Sequence, residues 1–71
     1  MSPKRRRIRN RIHELRTARG ISQGALADEV GATRQTINAI EQEKYAPSLE
    51  LAFRIAEAFE MSFEEVWTFE A

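Results

Sequence analysis

Residues 23–41, QGALADEVGATRQTINAIE, decide how this chain is read. Leu26, Ala27 and Val30 share one face at helical spacing after Gln23. Gly31 then falls where the chain must turn, because glycine takes a positive φ at little cost. Thr33 is placed to cap a second helix with its side-chain oxygen, and Ile37 and Ile40 mark that helix's apolar stripe. Ala27 is small where two crossing helices come closest. Arg34, Gln35, Asn38 and Ala39 lie off the stripe and face outward. Long side chains with donors and acceptors on a rigid helix suit the reading of base edges in a major groove. The same spacing also fits an αα-hairpin whose polar residues serve solubility alone. Spacing leaves both readings open.

The rest of the chain narrows the setting. Seventy-one residues make one domain with one small core. There is no cysteine and only one histidine, His13, so neither a disulfide framework nor a metal site is expected. No apolar run reaches the roughly 18 residues of a spanning helix, and none follows the basic start as a signal peptide requires. A cytoplasmic protein without membrane contact is expected. Net charge is zero, but its distribution is uneven. Residues 1–20 hold eight basic residues against Glu14, a net +7, and residues 21–71 carry a net −7. That asymmetry predicts a basic face toward a polyanion.

Residues 1–7 read as a basic, disordered tail and residues 8–71 as the domain. Ile8, Ile12 and Leu15 predict a first helix that Gly20 ends. Ser22 caps the second helix, and the third runs from about Arg34 to Gln42. Lys44–Pro47 forms a loop, because the residue before proline leaves helical geometry. Ser48 caps a fourth helix with Leu51, Ala52, Ile55, Ala56 and Phe59 on its apolar face. Ser62-Phe63-Glu64-Glu65 is a capping box for a fifth, and Phe63, Val66 and Trp67 close the bundle. The expected fold is all-α, a compact five-helix bundle without strands. Gly24 sits in the second helix at a cost of up to ~1 kcal/mol relative to alanine.

The run S-Q-x-x-L-A through V-G to R-Q-T-I-N-x-I-E resembles the Cro/phage-repressor, or XRE, helix-turn-helix family, and the similarity extends over about Ile8–Trp67. The resemblance implies a lambda-repressor-like DNA-binding domain and a transcriptional regulator, a repressor acting as a homodimer on a palindromic operator. It implies base reading by Arg34 and Gln35, with Thr36 and Ala39 beside them and Asn38, one turn on, reaching a base or a phosphate. It implies phosphate contacts from Gln23, at a helix N-terminus that favours anions, and from Lys44 and Tyr45. For Tyr45, packing against the fourth helix is the competing role. Arg5, Arg6 and Arg7 add phosphate attraction or enter a minor groove. An ion pair between Arg16 and Glu41 is implied as a structural link.

Two departures stand out. Gln42-Glu43 replaces the Asn-Gly of many relatives, which puts the loop shape in question, and Glu60 replaces a helix-ending glycine. Leu49, Phe53, Phe69 and Trp67 are the apolar residues available for a dimer interface, with core sealing the alternative for Trp67. No catalytic constellation is legible, so no enzyme activity, cofactor or small-molecule ligand is expected. Two other roles fit the same fold: the antitoxin of a toxin–antitoxin pair, and an adaptor that binds protein rather than DNA.

Overall fold

The computed structural model describes residues 7–69. Strand β1 (Ile8–Asn10) leads into α1 (Ile12–Arg19), α2 (Gln23–Val30), α3 (Arg34–Glu41), α4 (Leu49–Ala58), α5 (Phe63–Val66) and strand β2 (Trp67–Phe69). The five helices stand where the apolar spacing puts them. The strands correct the all-α expectation. Ile8 is not in the first helix: residues 8–10 pair antiparallel with 67–69, Ile8 opposite Phe69 and Asn10 opposite Trp67. The physical cause is Asn10. Its Oδ1 accepts from the Ile12 N–H at 3.1 Å, which starts α1 there, and its Nδ2 donates to the Ile40 carbonyl at 2.9 Å. Upstream of that turn, Arg7-Ile8-Arg9 alternates polar and apolar, a period of two that suits a strand.

Ser22, Thr33 and Ser48 each cap the following helix, accepting from Ala25, Thr36 and Leu51 N–H at 3.0–3.1 Å. At α5 the Glu65 carboxylate accepts from the Ser62 N–H at 2.8 Å, as the capping-box pattern predicts. That contact and the Ser62 hydroxyl hold the Glu65 carboxyl below its ordinary range. Ile12, Leu26, Ile37, Ile40, Ile55, Phe59 and Val66 are fully buried at the centre. Burying each such side chain contributes about 1.5–3 kcal/mol.

The helix ends share one device. At α1, α3 and α4 a residue just past the helix takes a left-handed conformation and a crossed pair of N–H bonds ties off the last carbonyls. Gly20 does this for α1 (φ 67°), and Gly31 takes the same conformation after α2 (φ 76°). Glu43 and Glu60 do it for α3 and α4, with φ of 62° and 57°. At α3, Glu43 N–H donates to Ile40 O and Lys44 N–H to Ala39 O, both at 2.9 Å. Glu43 therefore holds after α3 a conformation that glycine takes freely, at a backbone cost of about 1–2 kcal/mol.

Trp67 is buried, 5% exposed, and its Nε1–H donates to the Ala52 carbonyl at 3.1 Å. It seals the core, and little of its surface is left on the outside. Leu49, Phe53 and Phe69 remain exposed. Among the described residues no helix is long and apolar enough to cross a membrane.

Candidate nucleic-acid interface

The start of α3 presents Arg34 and Gln35 to solvent, with Thr36 and Ala39 half-buried behind them and Asn38 exposed one turn on. The Thr33 cap fixes this end, and its hydroxyl also meets Thr36 Oγ1 at 2.9 Å. Because Ile37 and Ile40 anchor the opposite face, the outward residues have little freedom to rotate about the helix axis. Beside them lies a notch of about 520 Å³ lined by Arg16, Ser22, Gln23, Gly24 and Arg34. It brings the first turn of α2, where Ser22 takes the Ala25 N–H and the Gln23 and Gly24 N–H groups lack intrahelical acceptors, beside Arg34. That combination suits an anion.

Beneath the notch the Arg16–Glu41 pair links α1 to the end of α3. Arg16 Nε donates to Glu41 Oε2 at 2.6 Å and Arg16 Nη2 to Oε1 at 3.0 Å, a two-pronged contact between side chains 11% and 7% exposed. Arg16 Nη1 also donates to the Ile21 carbonyl at 2.9 Å. Burial pushes the Glu41 carboxyl up, but hydrogen bonds from Arg16 and Gln23 outweigh it and hold the group below its ordinary value. The same hydrogen bond to Glu41 raises the Arg16 guanidinium.

Gln23 is turned inward. Its Nε2 donates to Glu41 Oε1 at 3.2 Å and to Asn38 Oδ1 at 3.1 Å, so the side-chain donors that a phosphate needs are engaged within the protein. Gln42 Nε2 also donates to Asn38 Oδ1, at 3.3 Å. Lys44 and Tyr45 follow α3 and are exposed; Tyr45 borders a second recess with Ile8, Asn10, Pro47 and Trp67.

Arg7 departs from the expected free tail: its Nη2 meets Glu43 Oε1 at 2.8 Å, while Arg9 Nε meets Oε2 at 2.6 Å. Arg5 and Arg6 lie outside the described residues. The Glu43 clamp had a legible signal that spacing for helices hid. Two arginines two residues apart fall on one side of a strand, and Glu43 stands where a glycine is usual.

A family model described as Helix-turn-helix matches residues 12–66. The chain belongs to the XRE-type helix-turn-helix family. It is 48% identical over 63 residues to the uncharacterized HTH-type transcriptional regulator YgzD of Bacillus subtilis, covering 89% of this chain and 96% of that one. An uncharacterized HTH-type regulator of Methanocaldococcus jannaschii is 41% identical over the same shares. Among solved structures, the restriction-modification controller protein C.AhdI from Aeromonas hydrophila superposes with a TM-score of 0.73 at 34% identity, covering 78% of this chain and 83% of that chain. This member of the family is a transcriptional regulator with a helix-turn-helix DNA-binding domain. In it α2 and α3 are the two helices of the motif.

Proposed function

We propose that this regulator is a homodimeric repressor that occupies a palindromic operator in double-stranded DNA. It acts in the cytoplasm by occupancy alone, without cofactor or chemistry. The observation that carries the reading is the exposure of Arg34 and Gln35 at the fixed start of α3, beside the anion-suited notch. Arg34 matches the two acceptors of guanine and Gln35 the paired donor and acceptor of adenine. Thr36 and Ala39 offer methyl groups to thymine. The first turn of α2, Lys44 and Tyr45 hold phosphates and so set register, with Arg5, Arg6 and Arg7 adding attraction.

A single domain reads few base pairs, and pairing two copies places recognition helices about 34–36 Å apart, one turn of DNA. The surface that suits a second copy is apolar. A groove of about 630 Å³ runs between Ile8, Pro47, Leu49, Phe63 and Phe69, floored by Ala52 and Trp67. Leu49 is 68% exposed at its rim, and nearby Phe53, 53% exposed, packs on Phe63 with ring centroids 4.8 Å apart.

The test is selection from a random duplex pool at near-physiological salt, with wild type beside Arg34→Ala/Gln35→Ala. Enrichment of a palindrome by wild type and its loss in the double variant is expected. Salt-sensitive binding without any enriched motif overturns the reading in favour of a protein-binding adaptor.

A further inference from the structure

The side chains between α2 and α3 form a chain of hydrogen bonds with a direction. It starts at Glu41, whose carboxylate only accepts. Arg16 and Gln23 Nε2 both donate to it, so the Gln23 amide must turn its nitrogen inward. The second Nε2 proton goes to Asn38, which must answer with Oδ1. Gln42 Nε2 donates to the same oxygen from one helical turn further on. Both acceptor sites of Asn38 Oδ1 are then occupied from within the protein. Reversing the amide would set the Gln23 NH₂ group, which Glu41 holds in place, against its own. What Asn38 has left is Nδ2, which only donates.

We infer that this relay makes Asn38 a one-way donor and a specificity-determining residue, with Gln23 the positioning residue that sets its polarity. The inference rests on the DNA-binding reading. A free asparagine pairs with adenine by giving one hydrogen bond and accepting another. Asn38 cannot accept. It suits base edges that present acceptors alone, O6 and N7 of guanine or O4 of thymine, and it meets the donor N4 of cytosine badly. A phosphate oxygen is also an acceptor, and the experiment separates it from a base.

The test uses the same selection, with each variant's thermal melting recorded. Asn38→Ala locates the base pair whose preference depends on this residue. At that position wild type is expected to favour guanine or thymine roughly tenfold or more over cytosine. Gln23→Leu removes the inward donor, and the position is expected to admit adenine while the rest of the motif stays. Asn38→Asp keeps an acceptor for Gln23 and Gln42 but presents an acceptor outward, so preference should pass to cytosine or adenine. If Gln23→Leu does not fold, Asn38→Asp decides alone. A motif that Gln23→Leu and Asn38→Asp leave unchanged, with affinity uniformly weaker, overturns the relay and makes these residues phosphate ligands. A wild type that enriches no motif overturns the DNA-binding reading itself, and the inference with it.

Discussion

Arg16 and Glu41 show how much one pair of residues decides. Arg16→Ala leaves a carboxylate only 7% exposed without its main partner, and such orphaned charges cost about 3–5 kcal/mol. Urea unfolding at neutral pH should read a loss of roughly that size. The pH dependence has a definite sign. The Glu41 carboxyl titrates below its ordinary value in the folded state, so its contribution is fully present above the unfolded carboxyl's pKa. It fades as pH falls through the lowered folded value. Melting temperatures measured from neutral pH down into that acid range should fall less steeply for Glu41→Gln than for wild type. Glu60 gives a contrasting case. It holds a left-handed backbone at φ 57°, and no ion pair of its side chain is present among the described residues. Glu60→Gly is expected to stabilise by about 1 kcal/mol, read by the same unfolding measurement.

At the scale of elements, α2 carries an avoidable weakness. Gly24 lies inside it, and a Cβ there would meet nothing nearer than Ser22 Oγ at 3.9 Å. Gly24→Ala should raise the melting temperature, with a gain of about 0.5–1 kcal/mol in stability. The helices were legible in the sequence because their signals are local: a capping Ser or Thr, a stripe of Ile and Leu, a glycine or proline beyond. The strands were not, because residues 8–10 become a strand only through a partner some sixty residues away. Ile8 also continues the apolar spacing of Ile12 and Leu15, so periodicity extended the helix one turn too far. In the site, the outward face of α3 followed from its inward stripe. The inward turn of Gln23 did not, since a glutamine at a helix N-terminus reads equally well as a phosphate ligand. The inward turn comes from the carboxylate of Glu41, which only the fold brings under it.

For the whole molecule, the apolar rim predicts assembly. Leu49→Glu/Phe53→Glu should leave the fold intact, since both side chains are largely exposed, and sedimentation should show a dimer for wild type and a monomer for the variant. The sheet has a further consequence, for the order of events in time. Each helix cap and turn closes within a few residues, whereas β1 meets β2 only after nearly the whole chain has been gathered. Loop closure over that span comes late in folding, and so short a ladder opens early in unfolding. The strand pair is thus the seam of the molecule. Arg7 and Arg9 reach Glu43 from one side of that seam, so each opening also loosens the grip on the turn that ends the recognition helix. Amide exchange at residues 8–10 and 67–69 should outpace that of the core helices, and the Lys44 amide, bonded to Ala39, should exchange in step with them.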